Sequence, residues 1–216
     1  GPFSRTNGFL ISEAELSSVV WKNINSISGY RVIPFGSNVG SPAYIPFSFN
    51  HKSGNIGNVT ISTYSAPNNL PFPSAVTHLN NTVIPPANNE AATVDRFWMV
   101  QKTGSNPVAD IIFRFYPSER PAGMSAFNQG KAQPYRTTSN TNSWMRLVAP
   151  YTTLTYAQTF GTNGIPLFDS VRVVNWDWPT VPQSPAPYTD PAGPIGNSHP
   201  WIVTLNSLPC GYNSPS

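Results

Sequence analysis

The sequence predicts an all-β protein, a single β-sandwich domain of jelly-roll-like or Ig-like kind over residues 1–216, with long Pro-rich loops. Two observations carry this expectation. Short runs rich in Val, Ile, Tyr, Phe and Thr recur along the whole chain, and clusters of Asn, Gly, Pro and Ser separate them. A hydrophobic share of 39% and an aromatic share of 12% supply enough apolar surface for a packed core in 216 residues. Neither an internal repeat nor a composition break marks a linker, which favours one domain.

The elements follow in order. Phe9–Ser12 and Val19–Asn23 read as short apolar strands. Between them Ser12 and Glu15 have the spacing of a helix capping box, which would open a helix from Ser12 to Val20. The pair Val19 and Val20 running into Trp21 favours a turn followed by a strand instead. Tyr30–Phe35 and Tyr44–Phe49 come next, both aromatic and β-branched. Asn58–Tyr64 alternates, with Val59 and Ile61 opposite Thr60 and Ser62. Val94–Lys102 carries Phe97 and Met99 on one face and Trp98 and Val100 on the other, so it is apolar on both sides and belongs in the middle of a sheet. Ala109–Tyr116 sets Ile111, Phe113 and Phe115 against Asp110 and Arg114. Trp144–Val148, Leu154–Thr159, Leu167–Asn175 and Trp201–Leu205 complete the series. Pro-rich loops are expected at Ala66–Ser74, Ile84–Asn89 and Trp178–Pro200, the last too long for a simple connection and expected to drape over the fold or project from it.

Charged residues make up only 10% of the chain, against about 25% in ordinary soluble domains. Asn, Ser, Thr, 24 Pro and 15 Gly fill the gap. Such a neutral-polar surface loses little when packed against copies of itself, because few charges are desolvated. The net charge of +3 comes from 12 basic residues scattered along the chain, without the basic run that would neutralise a phosphate backbone, so nucleic acid is not an expected partner. The single cysteine, Cys210, cannot form an internal disulfide, and stability must come from packing. No apolar run approaches about 18 residues, so membrane insertion is not expected. No leader is present, and any leader is expected to have been removed.

Specific residues point further. Gly8-Phe9-Leu10-Ile11-Ser12-Glu13, Val20-Trp21, Gly29-Tyr30-Arg31-Val32-Ile33-Pro34-Phe35-Gly36 and Tyr44-Ile45-Pro46-Phe47-Ser48-Phe49 follow one another in an order and spacing that resembles a module of large secreted proteins of Bacteroidota. The resemblance continues through Gly57-Asn58-Val59-Thr60-Ile61-Ser62-Thr63-Tyr64 and Asn69-Leu70-Pro71 into Val94-Asp95-Arg96-Phe97-Trp98, its most distinctive motif. His199-Pro200-Trp201 and Leu208-Pro209 echo the way the family closes. The resemblance implies an exported or cell-surface product of the type IX secretion route, a class that carries a C-terminal sorting domain cleaved after export. No such sorting domain is expected within these 216 residues.

Chemistry-bearing residues are sparse. His51, His78 and His199 lie far apart without neighbouring ligands and read as surface or loop residues, so no metal and no cofactor is expected. Asp169, Asp177 and Asp190 match no calcium-loop motif. No serine elbow is present, Cys210 sits in a terminal Pro-Cys-Gly turn, and no pair of carboxylates is singled out for glycoside hydrolysis. Asp95 beside Arg96 reads as a structural ion pair or turn anchor next to Phe97 and Trp98. Trp176-Asp177-Trp178 before a Pro-rich loop has the composition of a sugar platform, with Asp177 bonding hydroxyls. The alternative is that Trp176 ends a core strand and Trp178 packs under the loop. Asp169-Ser170-Val171 matches the acidic, hydroxyl, apolar triplet that Bacteroidota O-glycosylate on exported proteins, which makes Ser170 a candidate attachment site, the alternative being an ordinary outward strand serine. The Asn-x-Thr sequons at Asn58 and Asn80 read as coincidental in a bacterial product.

The expectation is a non-enzymatic, extracellular structural or adhesive module of a bacterial surface or exported protein, self-associating as a fibre subunit through sheet edges or termini such as Gly1–Asn7. The alternatives are a carbohydrate-binding module with glycans as partners and a glycoside hydrolase-type enzyme.

Overall fold

A computed structural model of the protein describes residues 8–24, 29–37, 43–74, 76–79, 88–105, 107–121, 132–137, 144–146, 155–160, 166–177 and 199–205. The fold is all-β. Its strands are β1 (Leu10–Ile11), β2 (Val19–Ile24), β3 (Arg31–Ile33), β4 (Phe35–Ser37), β5 (Ala43–Tyr44), β6 (Phe47–Ser53), β7 (Gly57–Ser65), β8 (Arg96–Lys102), β9 (Val108–Phe115), β10 (Ala132–Thr137), β11 (Trp144–Arg146), β12 (Thr155–Phe160), β13 (Pro166–Asp177) and β14 (His199–Leu205). Among the described residues, the helical pieces are single 3₁₀ turns at Pro67–Asn69, Glu90–Ala92 and Pro117–Glu119. No helix among them is long and apolar enough to cross a membrane.

The strands form a six-stranded sheet in the order β11-β10-β14-β8-β7-β2, a five-stranded sheet in the order β12-β13-β9-β6-β3, and a small sheet β1-β4-β5. Proline explains the small sheet. Tyr30–Phe35, expected as one strand, divides at Pro34 into β3 and β4, and Tyr44–Phe49 divides at Pro46 into β5 and β6, because proline has no N–H to give the ladder. The freed β4 pairs with β5 and, in parallel, with β1. A Cβ on Gly36 would fall inside the Phe9 ring, 2.6 Å from its Cε2, so only glycine lets Phe9 close over this sheet.

The Ser12–Val20 stretch is a turn followed by β2. Ser12 Oγ donates to Ser17 O at 2.5 Å, while the Glu15 carboxylate reaches away to Ser74 N (2.8 Å) and Ser74 Oγ (2.9 Å). Both polar groups of the apparent capping box thus stabilise non-helical backbone.

One face of each large sheet meets the other in a shared core. Trp98 and Val100 of β8, Val59 and Ile61 of β7 and Val203 of β14 face Phe47 and Phe49 of β6, Ile111, Phe113 and Phe115 of β9 and Val171 and Val173 of β13. Edge-on aromatic contacts knit the layers, Trp98 to Phe113 at 5.4 Å and Trp21 to Phe49 at 6.1 Å, in the geometry that ring quadrupoles favour. The Val94–Lys102 strand is interior as its two-sided apolar pattern requires, lying between β14 and β7. Its second apolar face is dry for a specific reason. Phe97, Tyr64 and Ile202 are covered by Val76 and Leu79, with Phe72 packed alongside, so the Pro-rich segment after β7 lies across the back of the sheet.

A turn clasps one rim of the core. Arg96 shares a face with Trp98 and Val100 and has no exposed side chain. Its guanidinium donates through Nε and Nη2 to Glu119 (3.0 and 2.8 Å) and through Nη1 to Thr63 Oγ1 (3.1 Å). Tyr116 lies under it with the ring centroid at 5.7 Å, and Glu13 Oε1 is 3.6 Å from Nη2, a charge contact rather than a hydrogen bond. The next residue after Glu119, Arg120, donates bidentately to Asp169 of β13, which is fully buried. One 3₁₀ turn therefore ties β8 of the six-stranded sheet and β13 of the five-stranded sheet. Asp95, next to Arg96, takes a different partner and accepts from Asn69 N at 3.1 Å, anchoring the Pro67–Asn69 turn.

Arg96→Ala leaves Glu119 buried without its cation and is expected to cost about 3–5 kcal/mol, read as a lower urea midpoint with an unchanged slope. Phe113→Ala, which opens a cavity against Trp98 and Phe47, is expected to cost about 3–5 kcal/mol in the same measurement.

Candidate functional site

Alternation puts every second residue of the five-stranded sheet on the face turned away from the core. In β9 these are Asp110, Ile112 and Arg114, in β6 Ser48, Asn50 and Lys52, and in β13 Phe168, Ser170 and Arg172. The register sets Asn50 beside Asp110, Ser48 beside Ile112, Ile112 beside Arg172, and Arg114 beside Ser170. Tyr30, just ahead of β3, joins this face.

Asp110 is its centre. The carboxylate is fully buried, and Oδ2 receives Tyr30 Oη at 3.0 Å, Arg172 Nη2 at 3.0 Å and Lys52 Nζ at 3.3 Å. Asn50, its amide oriented by its neighbours, donates to Gly29 O at 2.9 Å and accepts from Lys52 Nζ at 3.3 Å. Arg114 donates through Nη1 to Pro46 O (2.8 Å) and Ser48 Oγ (2.7 Å), neutral acceptors both. Two guanidiniums lie against rings: Arg172 on Tyr30 and Arg114 on Phe168, each at 5.5 Å.

The electrostatics follow from burial. Burial, then the hydrogen bond to Asp110, pushes the Tyr30 phenol up to about 12. The hydrogen bond to Asp110 raises Arg172, and burial lowers Arg114. Across the whole molecule the carboxylates with described side chains, Glu13, Glu15, Glu90, Asp95, Asp110, Glu119 and Asp169, are buried or half-buried. Lys22 is exposed, and the side chains of Lys52 and Arg172 are 38% and 40% exposed. On this face Lys52 and Arg172 both contact the buried carboxylate of Asp110, Arg114 lies further along β9, and Asp110 is the only carboxylate among the face's described residues.

The residues singled out in the sequence fall differently. Trp176 and Asp177 are the last residues of β13, in register with Ala109 and Val108, so the strand runs two residues past its expected end at Asn175. Trp178 lies outside the described residues, as do Cys210, the sequon Asn80, the segment Gly1–Asn7 and the Pro-rich stretch to residue 198. His199 and Pro200, expected in that loop, begin β14. Ser170 sits inside the paired part of β13, half-buried, and its Oγ donates to Ala157 O at 3.2 Å. His51 corrects the expectation of a surface or loop histidine. It is buried in β6, where its Nε2 meets Ser53 O (2.9 Å) and Gly54 O (3.0 Å). Carbonyls accept only, so Nε2 carries the proton, and the ring braces the irregular pairing of β6 with β9 between His51 and Ser53. Among the described residues no group of three or more His, Cys, Asp or Glu is placed to hold a metal ion. The Asp110 cluster was not singled out from the sequence. The one signal for it is the polar set Asp110 and Arg114 alternating with core aromatics in a strongly apolar strand.

Comparison of this chain with protein-family models, with curated proteins and with solved structures finds no match.

Tyr30 yields a titration with a definite sign. The phenol has its ordinary value of 10.0 in the unfolded chain and about 12 in the fold. Its contribution to stability is therefore complete below pH 10 and lost as pH rises through 12. Tyr30→Phe is expected to remove a late-ionising phenol from the ultraviolet pH titration and to flatten the loss of stability over that window. Removal of an ordinary phenol instead would show that the bond to Asp110 does not form in solution.

Proposed function

We propose that the chain is an extracellular structural or adhesive module of a bacterial surface or exported protein, a single β-sandwich of jelly-roll-like or Ig-like kind whose terminal strands and flanking apolar side chains mediate self-association. The observation that carries this reading is the end of the six-stranded sheet. β2 is its terminal strand, and Val20 on it is 46% exposed, with Leu16 just ahead of it at 89% and Ile11 of β1 at 46%. A terminal strand offers backbone donors and acceptors to an added strand, and soluble proteins ordinarily guard such edges with charge or proline. Here Lys22 is the only charged residue of β2. Strand addition at this edge, reinforced by apolar contact, is a physical route to fibres or to adhesion between copies.

Three supporting features fit a module working outside the cell. Low charge lowers the desolvation cost of packing copies together. Cross-links between residues far apart in sequence, such as Arg96 to Glu119 and Arg172 to Asp110, stiffen a chain that has no internal disulfide. The resemblance to exported Bacteroidota modules points to the same compartment, and O-glycosylation of Ser170 belongs to that reading as a proposal, checked by the intact mass of native protein.

Electron microscopy of the purified protein together with light scattering tests this. Filaments or regular assemblies that shrink when Val20→Lys places a charge on the edge are the expected result. A wild-type chain that stays monomeric at all concentrations overturns self-association.

A further inference from the structure

The face centred on Asp110 has a second property, independent of the sheet edge. Its cations are held in place. Lys52 is braced by Asn50 and Asp110, Arg172 by Asp110 and the Tyr30 ring, and Arg114 by Pro46 O, Ser48 and the Phe168 ring. Long basic side chains on a surface normally lose considerable rotamer freedom on meeting a ligand. Here that freedom is already restricted by intramolecular contacts. Arg114 and Arg172 lie on neighbouring strands, on one face and offset by two register positions, since Arg114 is beside Ser170 and Arg172 beside Ile112. That makes them diagonal neighbours, about 7–8 Å apart at the backbone and somewhat less between Cβ atoms.

Their bonding leaves capacity for a ligand. Arg172 uses Nη2 on Asp110, and its side chain is 40% exposed. Arg114 has only neutral acceptors among the described residues, and both through Nη1. A planar guanidinium presents paired donors matched to a carboxylate, and Asp110 shows this face receiving one already. Ser170, between Phe168 and Arg172 on the same strand, adds a hydroxyl whose donor is taken by Ala157 O and whose lone pairs can accept.

We infer that the outer face of the five-stranded sheet binds an acidic polysaccharide, with Arg114 and Arg172 engaging sugar carboxylates and Lys52 supplying further positive charge. Cations on a rigid sheet surface match an extended polymer that repeats carboxylates and hydroxyls. Single-stranded nucleic acid fits less well, because it needs a set of bare aromatic faces for base stacking, and each of the two described rings on this face, Tyr30 and Phe168, already carries a guanidinium. The inference rests on the reading of the chain as an extracellular module but not on its self-association.

Binding of the full chain to immobilised polygalacturonate, measured by biolayer interferometry at low and moderate salt, tests it, with neutral dextran, dextran sulfate and a single-stranded DNA oligomer as comparison ligands. Retention on polygalacturonate in preference to all three, weakening as salt rises, is the expected result. Arg114→Gln and Arg172→Gln should each weaken it about tenfold, while Lys102→Gln, in the other sheet, leaves it unchanged. Melting curves verify that each variant is folded. Equal retention on dextran, on dextran sulfate or on DNA overturns the inference, as does undiminished binding by folded Arg114→Gln and Arg172→Gln. A chain that assembles but ignores polygalacturonate retains the proposed function and loses this site. A monomer that binds it does the reverse.

Discussion

A guanidinium with no access to water fixes the organisation of this protein. Arg96 sits on the core side of an interior strand, where an unpaired cation would be prohibitive. The chain meets that demand by bringing Glu119, Thr63, Tyr116 and Glu13 to one point. Those residues come from the segment before β2, from β7 and from the turn after β9. Satisfying one side chain therefore sets the position of the N-terminal segment against the six-stranded sheet. The neighbouring Arg120 extends the same constraint to Asp169 across the core, so the gap between the sheets is closed at this rim by ion pairs rather than by apolar side chains.

The same economy of charge shapes the exterior. Of the few carboxylates in the chain, Asp110, Glu119 and Asp169 are buried and each is met by an arginine. Two polar layers result, with different tasks. At the core rim each cation meets a carboxylate in bidentate geometry. On the outer sheet face Lys52 and Arg172 share one carboxylate, and Arg114 rests on a ring, a carbonyl and a hydroxyl.

Much of the strand pattern was legible. Alternation in Ile111, Phe113 and Phe115 located the core face of β9, and the two-sided apolar run around Trp98 placed β8 inside a sheet. Strand ends were less legible where proline intervened, since Pro34 and Pro46 divide what looked like single strands. β10 was missed because Ala132–Thr137 is polar and holds Pro134. The structure accommodates that proline opposite Val203 of β14, one residue before the pairing with β11 begins at Tyr135, so no ladder bond on the β11 side is lost. The candidate site was largely illegible. Asp110, Lys52, Tyr30 and Arg172 are separated by tens of residues and are joined only by sheet register, which a single sequence does not display. The pair Asp95 and Arg96 showed its structural character but not its partners, which lie across space rather than next along the chain.

The place of β14 bears on how the protein is made. β14, the last of the described strands in chain order, lies inside the six-stranded sheet, between β8 and β10, and its Val203 carbonyl accepts from Val94 N just ahead of β8. A chain emerging N-terminus first holds β7 and β8 paired while the flank of β8 stays open, and closure waits until residue 205 has appeared. Contacts so distant along the chain form late, after loop-closure entropy has been overcome. Completion of the six-stranded sheet thus depends on a strand that leaves the ribosome long after the one it flanks.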